Sequence, residues 1–595
     1  MKKLFAFIVA LVLLASSFSL GACTRRSPDP SDNRPGSTNS DGTNNGGTNN
    51  GDDISDEVSV PSGDMFTDAD KNAKYDEEGA VTISLSGSSA TTSSSDVTVS
   101  NGLITISKEG SYIVSGNGIN QTIVVDAKKA KVRLVLNGAT IKNSSYAGVY
   151  VKDADKVFVI VKGENSLIVT GDFKQKDSNT VDGAIFTKDD MTIQGDGSLK
   201  INSSKHGIVG KDDIKITGGD ITVTADSHGI QANDSVRMAA AKLVVKADKD
   251  GIQVKNGDDE TKGFFYLESG SAKITSGYDG VDASNTVTVS GGTLEITAGG
   301  GSNKSVSANT STKGIKATND ILISSGTVTV NSSDDCIHSN DSIEIAGGTL
   351  TLSSGDDGVH ADTSIIVSGG TVNVTKSYEG LEAQNIAIKG GKINIKASDD
   401  GLNAAGGNDG SSVGGRPGQG SFNTSSNAFI TISGGEIYVN ASGDGVDSNG
   451  NLTVSGGTTI VEGPTDNGNG ALDYDGTATI SGGTFVAIGS SGMAMNFSSA
   501  TQGSVLVNGS SQSAGTKIVL SDGSGNEIFS MTATKTYSSV LISSPDLIKD
   551  KSYTLKAGTA STSITLSSLI YGSGSGAGDN RPGGNTGGPG GPGGR

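Results

Sequence analysis

Gly358-Val359-His360-Ala361-Asp362-Thr363-Ser364-Ile365-Ile366-Val367-Ser368-Gly369-Gly370-Thr371-Val372-Asn373-Val374 decides the fold. Val359 and Ala361, Ile365 and Val367, and Val372 and Val374 form three alternating apolar pairs, separated by polar or glycine corners. Alternation with a period of two marks strands that bury one face. The same offsets recur as Ile230, Ala232, Val236, Met238, Leu243 and Val245. They recur again as Val281, Ala283, Val287, Val289, Leu294 and Ile296, and as Ile315, Ala317, Ile321, Ile323, Val328 and Val330.

A column of glycines marks the period: Gly207, Gly229, Gly251, Gly280, Gly314, Gly358, Gly380, Gly401, Gly445 and Gly470. The commonest interval is 22 residues, and Cys336 takes the glycine slot midway between Gly314 and Gly358. Three short strands per repeat, pointing inward at fixed offsets, predict a coil with three parallel sheets, in which stacking buries what one turn alone cannot. A helical solenoid is excluded, because no segment shows a 3.6-residue period with caps. The fold class is therefore all-β, a parallel β-helix over 65–502. Residues 503–571 lose the period but stay strand-rich and predict a cap over the last turn's open edge. The largest departure from the period is an insertion from Ala405 to Asn427.

Outside the repeats the chain changes character. Lys2 and Lys3 followed by an apolar stretch to Leu20 read as an export signal over 1–22. Leu20-Gly21-Ala22-Cys23 resembles the bacterial lipobox, with Cys23 as the acylated residue. Two acyl chains on Cys23 would suffice for stable anchoring to the outer face of the cell membrane. Residues 23–64 and 572–595 are almost free of apolar side chains and read as a tether and a Gly/Pro tail. Sixty-four acidic against 45 basic residues give a net charge of −19, which argues against a nucleic-acid partner and favours cations.

Two polar positions flank each Gly-Ile/Val unit, and both are expected to face outward. The first column reads His206, His228, Asp250, Asp279, Lys313, Asp335, Asp357, Glu379, Asp400 and Asp444. The second reads Val209, Gln231, Gln253, Asp282, Lys316, His338, His360, Glu382, Asn403 and Asp447, and Asp334, Asp356 and Asp399 form a third. Asp before Gly is ordinary turn chemistry and accounts for part of the first column. It does not account for acids inside strands, where they are disfavoured.

Neighbouring turns stack about 4.8 Å apart. Two carboxylates at that separation repel by roughly 3–4 kcal/mol at an effective dielectric near 20. Either the carboxyls hold protons or cations bind between the rungs, and Ca²⁺ suits an all-oxygen site. The expected metal ligands are Asp334, Asp335, Asp356, Asp357, Glu379, Glu382, Asp399, Asp400, Asp444 and Asp447. Glycan contacts are expected from Tyr278, Asp282, Lys316, His338, His360, Tyr378 and Asn403.

Ser377-Tyr378-Glu379-Gly380-Leu381-Glu382, Ser398-Asp399-Asp400-Gly401-Leu402-Asn403-Ala404 and Gly443-Asp444-Gly445-Val446-Asp447-Ser448-Asn449-Gly450 resemble signatures of a bacterial carbohydrate-binding β-helix family. The likeness runs from about Phe66 to Ala494 and includes Gly470-Ala471-Leu472-Asp473-Tyr474. It implies a right-handed, pectate-lyase-like coil, bound calcium, and binding of plant cell-wall polysaccharides, cellulosic and pectic, without cleavage.

Three other readings compete with this one. A calcium-dependent polysaccharide lyase needs a basic group to take the proton beside a uronate carboxylate. Lys313 and Lys316 are candidates, but carboxylates around them would keep them protonated. A hydrolase reading rests on Asp334-Asp335, yet the pair recurs as Asp356-Asp357 and Asp399-Asp400, which marks architecture before catalysis. A surface adhesin or wall-structural solenoid is the third.

Overall fold

The computed structural model of the protein describes residue 54 and residues 58–305, 310–405 and 427–572. The export signal, Cys23, most of the tether, nearly all of the Ala405–Asn427 insertion and the tail from 573 lie outside the described residues.

All regular secondary structure among the described residues is strand. The register follows the repeat. Ile208 faces Ile230, Ile230 faces Ile252, and Ile315 faces Ile337, which faces Val359, which faces Leu381, all in parallel pairing. A second set of strands stacks Val236, Phe265, Val287, Ile321, Ile343 and Ile365. A third stacks Leu294, Val328, Leu350 and Val372. Each inward residue is therefore surrounded by its counterparts one turn away. Val359, Ala361, Ile365, Val367 and Val372 are 0% exposed. A fully buried aliphatic side chain of this size contributes roughly 1.5–3 kcal/mol.

Glycine serves two separate needs. Gly370, second of a Gly-Gly pair, turns the corner at φ 76°, where a side chain would be strained. Gly358 lies against the next turn, and a Cβ there would stand 2.6 Å from the Gly380 carbonyl oxygen. At the last rung the slot belongs to Ala471, not to Gly470 as the spacing suggests. The carbonyl of Ala471 is the one that faces Gly445, while the Gly470 carbonyl accepts from the Gly445 N–H.

The coil opens with two antiparallel hairpins, Val81–Gly87 with Ser89–Thr92 and Val97–Ser100 with Leu103–Ile106. Ahead of them, the chain from residue 58 is already bonded to the coil. The Ser59 N–H donates to Asp320 Oδ2 at 2.8 Å, and Asp70 is fully buried beside Lys156 Nζ at 2.6 Å. At the other end Tyr537–Ser544 pairs antiparallel with the coil strand Thr484–Gly489 and with Gly503–Gln512. A separate sheet of Glu527–Thr532, Lys517–Asp522, Ser552–Ala557 and Ala560–Thr565 completes the cap with its own apolar core.

Candidate functional site

The second polar column is one continuous in-register line. Val209, Gln231, Gln253, Asp282, Lys316, His338, His360, Glu382, Asn403, Asp447 and Asp473 face one another in succession. Asp473 had not been singled out as a site residue, although the Gly-Ala-Leu-Asp segment carrying it had. Towards the N-terminus the same line continues through Phe186 and Tyr150.

The two columns lie off the apolar core as expected, but much of each is covered and not open to solvent. Asp335, Asp357 and His360 are at most 1% exposed, and Asp279, Lys313, His338, Glu379, Glu382 and Asn403 are also buried. First-column carboxylates do structural work that explains this. Asp250 Oδ1 accepts the Asp279 N–H at 3.1 Å, and Asp279 Oδ1 accepts that of Lys313 at 2.7 Å. Asp335 and Asp357 each accept the N–H one turn on at 3.1 Å, and Asp400 accepts that of Asp444 at 2.5 Å. Each acid thus satisfies a buried backbone donor of the next rung, a bond a neutral apolar side chain cannot make.

Charge then divides the ladder in two. In one half, cations balance the acids. Lys313 Nζ lies 2.8 Å from Asp335 and 2.9 Å from Asp334, while Lys316 lies 3.6 Å from Asp279 and 3.5 Å from Asp282. The two imidazoles of His338 and His360 stack 4.8 Å apart at 9°. His338 Nδ1 lies 2.8 Å from Asp335, and His360 Nδ1 lies 2.8 Å from Glu382 and 3.4 Å from Asp357. Burial presses His338 down towards neutrality, whereas the carboxylates around His360 overcome burial and hold it protonated. Asp335 is driven up by burial, but Lys313 and His338 more than reverse this and keep it ionised.

In the other half, no cation is close among the described residues. Burial and neighbouring carboxylates raise Glu379, and they push Asp400 up to about 8, Asp447 to about 8 and Asp444 to about 6. Asp473 is also raised, chiefly by burial. Asn403 Nδ2 donates to Glu379 Oε2 at 2.7 Å, while the buried Asn403 Oδ1 finds no partner among the described residues.

Three groups bring possible ligand atoms within 4.8 Å of one another among the described residues: Asp334 with Asp335 and Asp356, Asp357 with His360 and Glu382, and Asp400 with Asp444 and Asp447. Glu379 and Asp399, expected ligands, belong to none of them. Lys313 is already ion-paired with two acids of the first group, and the second contains a nitrogen that is ion-paired. The third is all oxygen and lacks a counter-charge among the described residues, so its donor set is the one that fits Ca²⁺. Tyr278 is 41% exposed beside Asp279, and Tyr378 is half-buried with its phenol against Asp399.

A family profile described as carbohydrate-binding domain-containing protein matches residues 100–358 and 356–401. A protein of the same description from Acetivibrio thermocellus is 40% identical over 210 residues, which is 34% of this chain and 73% of that protein. A solved structure of a polysaccharide lyase-like protein from C. thermocellum, a gadolinium derivative, is 25% identical. It covers 50% of this chain and 97% of its own, at a TM-score of 0.34. On the profile match and the Acetivibrio relative, the chain belongs to the carbohydrate-binding domain-containing protein family.

Proposed function

We propose that this is a cell-surface protein that binds cellulosic and pectic polysaccharides without cleaving them, on a right-handed coil of about 22 residues per turn. The observation that carries the reading is the all-oxygen group of Asp400, Asp444 and Asp447, without a counter-charge among the described residues, in a chain of a carbohydrate-binding family. These three residues would hold Ca²⁺, with Asn403 Oδ1 as a further oxygen nearby in the column. The ion would supply open positions for a uronate carboxylate, and so join two acidic partners that otherwise repel. Asp399 and Glu379 stand beside Asp400 of that site, and Tyr278 offers an exposed ring for sugar stacking.

A binding role is favoured over lyase chemistry by the state of the lysines. Burial opposes the charge on Lys313, but Asp335 and Asp334 outweigh it and raise its proton affinity, and Lys316 is raised in the same way by Asp279 and Asp282. Neither can serve as a base at neutral pH. Acylation at Cys23 would hold the coil at the outer face of the membrane.

The test is retention of the purified full chain on insoluble polygalacturonate and on cellulose, with and without chelator. Polygalacturonate retention should fall with chelator while cellulose retention survives. Equal retention on both, or release of unsaturated uronides, overturns this function.

A further inference from the structure

Towards the N-terminus from Asp282 the in-register line turns uncharged, through Gln253, Gln231 and Val209. Lysines flank it on both edges. Lys205 and Lys211 stand two residues before and four after Gly207, and Lys249 and Lys255 hold the same offsets around Gly251, two rungs on. The main chain stacks these positions in two lines. On one edge the Ser227 N–H donates to the Lys205 carbonyl at 3.0 Å, the Lys249 N–H to that of Ser227 at 3.2 Å, and the Tyr278 N–H to that of Lys249 at 3.4 Å. On the other edge the Asn233 N–H donates to Gly210 at 3.1 Å and the Lys255 N–H to Ala232 at 3.0 Å. All four lysines are exposed.

Two of the four are already engaged: Lys205 is taken by Asp182 at 3.0 Å, and Lys211 lies 5.6 Å over the Phe186 ring. Lys249 and Lys255 enter no ion pair and no side-chain hydrogen bond among the described residues. Asp250, between them in the chain, is buried and holds the Asp279 N–H at 3.1 Å and the Gln253 amide at 2.7 Å. Asp226, Asp248 and the loop acids Asp258, Asp259 and Glu260 stand exposed outside the strand, and none pairs with either lysine. Gln231 Nε2 donates to Gln253 Oε1 at 2.8 Å, which leaves the Oε1 of half-buried Gln231 to accept a hydroxyl. Tyr278, next in the line of Lys249, is 41% exposed.

We propose that this strip is a second, metal-independent site for a polyuronate chain lying along the coil axis, with carboxylates on Lys249 and Lys255, a sugar face on Tyr278 and a hydroxyl donating to Gln231. The proposal rests on the pectic reading of the coil and adds a direct contact on another part of the same sheet. Rungs about 4.8 Å apart make Lys249 and Tyr278 neighbours, so one sugar unit can meet both. The ammonium is a compact charge that pairs with a carboxylate, and the aromatic ring offers an apolar face to the C–H face of a pyranose. No group of possible metal ligands falls on this strip among the described residues, so the contact is with the lysines themselves.

Hexagalacturonate is titrated into the full chain in chelator by calorimetry, beside its methyl-esterified form and a polyglutamate of matched charge. Hexagalacturonate should bind, less tightly as salt rises, and both controls should bind more weakly than it does. Lys249→Gln with Lys255→Gln, both at exposed positions, should weaken hexagalacturonate about tenfold, the effect expected of two exposed ion pairs. Tyr278→Ala should weaken hexagalacturonate and leave polyglutamate unchanged. The calcium-dependent part of retention on insoluble polygalacturonate should persist in the lysine double variant, so this site and the calcium reading fail separately. No hexagalacturonate binding in chelator overturns the proposal, as does equal binding by wild type and the lysine double variant. The ester bound as tightly as the acid overturns it by removing charge from the recognition, and polyglutamate bound as tightly overturns it by removing the sugar.

Discussion

Replacing Asp70 by Asn tests whether the segment ahead of the coil is locked by one buried charge. Asp70 is 0% exposed, and it receives Lys156 Nζ at 2.6 Å, Thr192 Oγ1 at 2.6 Å and the Thr67 N–H at 2.9 Å. Lys215 Nζ stands 3.7 Å away. At 2.6 Å and an effective dielectric near 20, the gross Coulomb attraction to Lys156 is roughly 6 kcal/mol. Desolvation of a buried ion takes back several kcal/mol. A net loss of about 3 kcal/mol is expected, because the substitution also leaves Lys156 and Lys215 facing a neutral amide.

The direction with pH follows from the same contacts. Burial pushes the Asp70 carboxyl up, but the bonds from Lys156, Thr192 and Thr67 outweigh it and hold the group well below the usual carboxylate range. A carboxyl depressed in the folded state stabilises it fully above its unfolded value near 4, and that contribution is lost progressively as pH falls from there through the lower folded value. Thermal melts and limited proteolysis of residues 58–79 are therefore compared at pH 7 and pH 2.5. Asp70→Asn should cleave faster and melt earlier than wild type at pH 7, and the gap should narrow at pH 2.5. Equal behaviour at pH 7, or a gap that widens in acid, would refute the reasoning.

Val359→Asp places a charge at a 0%-exposed position and should cost several kcal/mol, read as a lower midpoint in denaturant. An unchanged midpoint would mean that Val359 does not pack in the interior of the coil. Calcium should raise the calorimetric melting temperature of the wild type, since an ion that binds only the native state stabilises it by mass action, and Asp444→Asn with Asp447→Asn should remove most of that rise. Cys23→Ser should abolish incorporation of labelled lipid; label retained in the variant excludes the lipobox reading.

Much of the coil was legible before any coordinates. The inward triplets at Val359, Ala361, Ile365 and Val367 alternate with a period of two, and that alternation is a local property of the chain. The glycine corners are local too, since a positive φ at Gly370 is a demand of the backbone itself. Even the column partners could be named, because parallel stacking at constant register maps sequence spacing onto space. The slip at the last rung came from the same logic: with no constant interval there, Gly470 and Ala471 could not be told apart by spacing.

What the sequence could not decide was which way the acids were compensated. Asp335 and Asp400 sit in the same motif, yet one is held ionised by Lys313 and His338 while the other is pushed up to about 8 by burial and neighbouring carboxylates. Motif and spacing are the same; the difference lies in side chains contributed by adjacent turns and in how far water is excluded. The lysines are of the same kind, since Lys205 and Lys249 hold the same place in the repeat, yet of the two only Lys205 is ion-paired among the described residues, with Asp182. Periodicity fixes which residues stack because it repeats along the chain. Charge state and ion pairing depend on dielectric and on three-dimensional neighbours, and only the tertiary structure sets those.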